Sequence, residues 1–205
     1  TSLLSDSDAW DNFAFALDQI HKLSHGVYLS FAHHIHSAYQ SYKTHTEHIN
    51  GFSSNPIPTH DHIAQKVIGN SFQISTDLIA RSKQINIVNY YLYPTQASLL
   101  AQQLKLLTQA PPQIIILQGF GSGNIPYNAD LKYYLEQLIE NGCWVIISSQ
   151  VLYGQLSQKY ATGSWLNTIK LVFDPHYSQA DLYARATLLY LQYAEQKNWQ
   201  HYWVN

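Results

Sequence analysis

The side chains best suited to chemistry lie between positions 118 and 163, where an apolar run, 114–117, opens into Gly119-Phe120-Gly121-Ser122-Gly123-Asn124-Ile125-Pro126. Glycines at a strand's exit permit positive φ and allow a ligand or a neighbouring backbone to come close, which side chains would prevent. Asn124 sets a donor and acceptor at the tip of that loop. The dinucleotide fingerprint G-x-G-x-x-G is not completed, and on spacing alone Asn124 reads first as a turn asparagine tolerating left-handed geometry. Of the eleven histidines, His33, His34 and His36 lie close together and His60 and His62 alternate. On a strand, His34 and His36 share a face, as two metal ligands would. No cysteine or acidic pattern completes a centre, however, so the histidines read as polar surface residues and no metal is expected. Lys43, taken by its type, is a solvated lysine after a strand. Tyr39, Tyr42, Tyr127, Tyr133 and Tyr134 read as packing or subunit contacts.

The composition narrows the function classes. With 205 residues the chain can form one large domain or two small ones. Charged residues make up 12% and the formal net charge is -2, so there is no basic field to hold nucleic acid. One cysteine, Cys143, sits in an apolar run, which excludes a disulfide framework and favours a reducing compartment. There is no run of 18 apolar residues and no export signal, so no membrane span is expected. The start at Thr1 and the absence of methionine read as an excerpt from a longer protein.

The elements that must position these residues follow from periodicity. Asp8 and Asp11 signal a helix start, and Trp10, Phe13, Ala14, Leu17 and Ile20 recur at helical spacing up to Gly26. Val27, Leu29 and Phe31 alternate as a strand, 35–42 reads as a second extended piece, and 52–59 as a linker. Residues 67–79 suggest a short hairpin. Beyond it, apolar runs at 85–92, 114–117, 143–148 and 169–173 alternate with amphipathic helices at 96–109, from Asn128 to Gly142, and from Ser178 onward. That alternation predicts a parallel sheet covered on both faces. The expected organisation is α/β. Residues 1–55 would be the remnant of an N-terminal α/β domain, 56–84 a linker or hairpin, and 85–205 a small doubly wound parallel-sheet domain.

Several words along the chain, in order, resemble the bacterial L-asparaginase family, especially its cytoplasmic-type branch. They begin with Leu4-Ser5-Asp6-Ser7-Asp8-Ala9-Trp10-Asp11-Asn12-Phe13, Gly26-Val27-Tyr28, Tyr42-Lys43-Thr44-His45-Thr46 and Phe52-Ser53-Ser54. They continue through Leu92-Tyr93-Pro94, Gly121-Ser122-Gly123-Asn124-Ile125-Pro126, Ser149-Gln150, Gly154 and Tyr160-Ala161-Thr162-Gly163-Ser164-Trp165-Leu166. The family's Thr-Gly-Gly-Thr motif, which holds the nucleophile, and its Gly-Thr-Asp-Thr motif have no counterpart here, and both would precede Thr1. His176-Tyr177-Ser178-Gln179-Ala180-Asp181 also departs from the family's usual Asp-Met-Thr and Glu-Ala.

The resemblance implies hydrolysis of L-asparagine to aspartate and ammonia without a cofactor, by a cytoplasmic homodimer or homotetramer. It implies that Lys43 is the proton-relaying lysine, and that Asn124, with Gly123, belongs to the loop that approaches substrate in a neighbouring subunit. The missing nucleophile implies that this chain alone is inactive. Two alternatives stay open: a non-catalytic asparaginase-like domain that binds an amino acid or a partner subunit, and a glutamyl-tRNA amidotransferase subunit, disfavoured by the lack of basic character.

Overall fold

Helix α1 (Ala9–Gln19) begins at Asp8, whose carboxylate accepts from Asn12 Nδ2 at 3.1 Å, while Ser7 Oγ accepts from the Ala9 amide. The predicted apolar stripe is present but uncovered: Trp10 is 71% exposed and Leu17 53%, and α1 has no buried residue. Strands β1 (Tyr28–Phe31) and β2 (His34–Ser37) form an antiparallel hairpin. Its two-residue turn places Ala32 at φ 48° and His33 at φ 59°. A turn with two left-handed residues matches the twist of the strands it joins and normally selects Asn or Gly. Here Asn12 Oδ1 accepts from the Ala32 amide at 2.7 Å and holds the turn to α1.

Strands β3 (Ser41–Lys43) and β4 (Phe52–Ser54) form a second antiparallel pair. The piece predicted at 35–42 is therefore divided, and the expected linker opens with a strand. Ser41, Tyr42 and Lys43 stand opposite Ser54, Ser53 and Phe52.

The computed structural model describes residues 7–38, 41–54, 74–152, 156, 164–174, 178–195 and 198–204. The chain divides into two units, Thr1–Ile57 with Tyr177–Asp181, and Pro58–His176 with Leu182–Asn205. Among the described residues of the first unit no apolar side chain is buried.

The second unit is different. Most of the hairpin expected at 67–79 lies outside the described residues, and its end is the helix α2 (Thr76–Ser82), capped by Ser75 Oγ accepting from the Leu78 amide at 3.1 Å. A serine cap with Asp77 in the first turn outweighs the short apolar alternation. There follow β5 (Ile87–Tyr91), α3 (Ala97–Leu107), β6 (Ile114–Gly119), α4 (Ala129–Glu140), β7 (Trp144–Ser149), a 3₁₀ turn (Ser164–Thr168), β8 (Val172–Phe173), α5 (Gln179–Tyr193) and α6 (Gln200–Val204). The sheet is parallel throughout, in the order β5-β6-β7-β8, with Ile116 of β6 level with Asn89 and Ile146.

As the continuous apolar runs require, both faces of this sheet are covered. Ile115, Leu117, Val145 and Ile147 share one core with Leu100 and Leu104 of α3 and Leu131, Leu135 and Leu138 of α4. On the opposite face Trp144 stacks on Trp199 with ring centroids 3.9 Å apart and meets Tyr190 of α5 edge-on. Trp203 of α6 is fully buried and its Nε1 donates to the Phe173 carbonyl at 2.9 Å. Among the described residues no helix is long and apolar enough to cross a membrane.

The predicted cap of α4 is in place, with Asn128 Oδ1 accepting from the Leu131 amide at 2.9 Å. Asn128→Ala is expected to cost ~1 kcal/mol, whereas Leu135→Ala, which empties a fully buried position, should cost ~2–5 kcal/mol; urea melts of both variants check that order. Cys143 is 2% exposed and burial pushes its thiol up to about 12. In the folded chain it should fail to react with a thiol-specific disulfide reagent at pH 8, and react fully in denaturant.

Candidate functional site

At the carboxyl ends of the parallel strands, where open α/β sheets bind ligands, β6 runs into a tight loop. The Phe120 amide donates to the Asn124 carbonyl at 2.9 Å and the Asn124 amide returns to the Phe120 carbonyl at 2.8 Å, closing Gly121-Ser122-Gly123 into a turn. Two glycines are required here by geometry. Gly119 lies so close beneath the returning chain that a Cβ would stand 2.6 Å from the Gly123 carbonyl carbon. Gly123 has φ +89°, and a Cβ there would meet Leu156 Cδ2 at 2.4 Å.

Asn124 is half-buried. Its Nδ2 donates to Ser122 Oγ at 3.3 Å, and its Oδ1 is buried with no hydrogen-bond partner. A buried acceptor left unpaired costs about 1–3 kcal/mol. Ile125, which follows, is fully buried, and its carbonyl accepts from Trp165 Nε1 at 2.9 Å. That bond ties the loop to the 3₁₀ turn of the Trp165 segment. Among the tyrosines set aside for packing, Tyr127 stands edge-on to Trp165 at 5.7 Å and Tyr133 packs on Tyr134 at 5.2 Å, while Tyr39 lies outside the described residues.

Neighbouring polar groups steady the loop. Gln150 Nε2 donates to the carbonyls of Leu92 and Gln118, and Gln118 Nε2 donates to Asn89 Oδ1 at 2.8 Å, so amides link the ends of β5, β6 and β7. Ser149 Oγ donates to the Gly121 carbonyl. Ser148 Oγ donates to Asp174 Oδ2 at 2.9 Å, and both residues are buried. Ser149 and Gln150 stood out in the sequence; Asn89 and Asp174 did not. Their signal was a polar residue inside or just after an otherwise apolar strand.

Lys43 belongs to the first unit, at the end of β3 opposite Phe52. It is exposed, with Nζ 5.7 Å from the centre of the Phe52 ring, and among the described residues it makes no ion pair. Asn124 and Gly123 are thus neighbours in one loop of the second unit, and Lys43 stands in the first. Gly154, residues 160–163, His60 and His62 lie outside the described residues. Among those described, no group of three or more metal-ligating side chains gathers.

Gly123→Ala combines a disfavoured φ with the Leu156 clash and is expected to destabilise the second unit by about 1–3 kcal/mol. Gly121→Ala meets no neighbouring atom within 4 Å and should cost less; thermal melts of the two variants give the comparison.

The sequence profile of the Glutaminase/Asparaginase C-terminal domain matches residues 87–202, and that of the N-terminal asparaginase domain matches 3–76. An L-asparaginase of Dirofilaria immitis is 30% identical over 102 residues, 49% of this chain and 16% of that protein. Among solved structures, the thermostable L-asparaginase of Thermococcus kodakarensis superposes with a TM-score of 0.70 at 20% identity, over 98% of this chain and 60% of that one. L-asparaginase I of Vibrio cholerae gives 0.65 at 19% identity, over 98% and 61%. This chain therefore spans less than two thirds of the length of these relatives. The matched profiles run in the same order as the two units and cover most of the sequence, and on that ground the chain belongs to the glutaminase/asparaginase family.

Proposed function

We propose that this chain is the C-terminal portion of an L-asparaginase-type amidohydrolase that converts L-asparagine to aspartate and ammonia in the cytoplasm, without a cofactor, as a homodimer or homotetramer. The observation that carries this reading is the ordered match of both asparaginase domains to one chain, over 3–76 and 87–202. Hydrolysing a side-chain amide needs an activated hydroxyl, a proton relay to the departing ammonia and donors for the developing oxyanion. In this reading Lys43 supplies the relay. A relay lysine works against a carboxylate partner, and no carboxylate pairs with Lys43 among the described residues. The partner would come from the segment that bears the second threonine motif.

Asn124 in this reading belongs to the loop that approaches the active site of a neighbouring subunit. Its unpaired Oδ1 is an acceptor suited to the ammonium group of an amino-acid substrate or to a donor in a neighbouring subunit. Gly123 and Gly119 allow the loop to hold that oxygen in place without a bulky neighbour. A second reading, a non-catalytic asparaginase-like domain that binds an amino acid or a partner subunit, draws support from the exposure of Lys43 and from the divergent segment around Ser178.

Ammonia release from L-asparagine, with L-glutamine run in parallel, separates the two. This chain alone is expected to show no turnover above the blank, and turnover by it would relocate the nucleophile. In the protein completed with both threonine motifs, Lys43→Ala is expected to lower kcat by ~10²–10⁴. An unchanged kcat would remove Lys43 from the mechanism, and a completed protein that stays inactive would favour the binding domain.

A further inference from the structure

Strand β6 leaves its neighbour β5 one hydrogen bond before the register requires it. Tyr91 is level with Gln118, which puts Leu92 level with Gly119, and the Leu92 amide still donates to the Gln118 carbonyl at 3.3 Å. In a parallel ladder the next bond runs from the Phe120 amide to the Leu92 carbonyl. Here the Phe120 amide donates instead to the Asn124 carbonyl, at 2.9 Å, and closes the loop. Leu92 is buried, so its carbonyl needs another donor.

Gln150 supplies it. Its Nε2 takes the vacated place, donating to the Leu92 carbonyl and, at 2.9 Å, to the Gln118 carbonyl. Both neighbours can only accept, so the NH2 of the side-chain amide, not its oxygen, faces them. The main-chain amide of Gln150 donates to the Gly119 carbonyl at 3.2 Å, which anchors the residue at the same junction.

We propose that Gln150 is a positioning residue: by occupying the Leu92 carbonyl it turns the chain out of β6 at Phe120 and so sets where the Asn124 loop stands. Two donors compete for one acceptor. With Gln150 in place the Phe120 amide closes the loop; without it the Leu92 carbonyl takes the Phe120 amide back into the ladder, and the bonds between Phe120 and Asn124 open. The junction requires two protons on one side-chain nitrogen, which a carboxylate of the same shape lacks. The consequence for catalysis rests on the asparaginase reading proposed above, in which this loop approaches the active site of a neighbouring subunit; the consequence for the loop itself does not.

Amide hydrogen exchange of the full chain, followed by NMR, and steady-state kinetics of the protein completed with both threonine motifs test the two consequences separately. The Gly123 and Asn124 amides both donate to the Phe120 carbonyl. At pH 7, Gln150→Ala and Gln150→Glu are each expected to speed their exchange about tenfold or more, and to leave the Leu135 amide of α4 unchanged. At about pH 4 the introduced carboxyl takes up a proton and donates to one carbonyl, so Gln150→Glu regains part of its protection relative to the unaltered chain at that pH, and Gln150→Ala does not. In the completed protein both variants are expected to raise KM for L-asparagine about tenfold, with kcat within about twofold. Unchanged Gly123 and Asn124 exchange in Gln150→Glu at pH 7, or equal acceleration at Leu135, would overturn the role in the loop, and an unchanged KM would overturn the role in the reaction. A completed protein that turns over nothing even with Gln150 in place refutes the asparaginase reading, and the exchange rates then still decide for or against Gln150.

Discussion

Strands β6 and β7 have no face to give to water. A central parallel strand is bonded along both edges and must be covered above and below, because its crossover connections place helices over the sheet. All six residues of β6 are buried, as are the first five of β7. From this follow the leucines of α3 and α4 on one side and the Trp144, Trp199 and Trp203 packing on the other. Within these strands polar side chains enter only toward the carboxyl end, where Gln118, Ser148 and Ser149 lie near Gln150 and Asp174 of the following segments.

That edge is over-determined in one respect and unfinished in another. Backbone hydrogen bonds across Phe120 and Asn124, the Ser149 contact with Gly121 and the bond from Trp165 to Ile125 fix the loop's path. Against so many constraints, one buried amide oxygen without a donor is costly to keep. Held oxygens of this kind are tolerated where a ligand or partner later pairs with them. The loop is thus fixed along its backbone, while the Asn124 Oδ1 stays buried and unpaired.

The second unit was legible in the sequence because local and tertiary preferences agree there. Asn128 caps α4, Gly142 with φ +87° ends it, and the apolar runs are too long and too uniform to face water. The first unit was harder to read. Ala32 and His33 carry no turn signature, since their left-handed geometry is held by Asn12, twenty residues earlier for Ala32. β4 was hidden by the turn residues that follow Ser54, and the α2 helix was masked by apolar alternation before Ser75. At the candidate site the loop was visible from its glycines. The amide chain from Asn89 through Gln118 to Gln150 was not, because each member lies in a different strand or loop and only the register brings them together.

Family membership and chemistry therefore rest on different parts of the molecule. The fold is recognisable through the burial demands of a parallel sheet, and those demands survive at about 20% identity to the Thermococcus kodakarensis enzyme because any well-packed set of apolar residues meets them. The Lys43 ammonium is under no such constraint. It stands exposed near the Phe52 ring, where a cation–aromatic contact contributes only about 0.5–1 kcal/mol. Nothing in the packing of β3 and β4 demands a lysine at that position. A residue that the fold does not need is retained or lost by its chemistry, which makes position 43 the sharper test of function and the sheet the sharper test of descent.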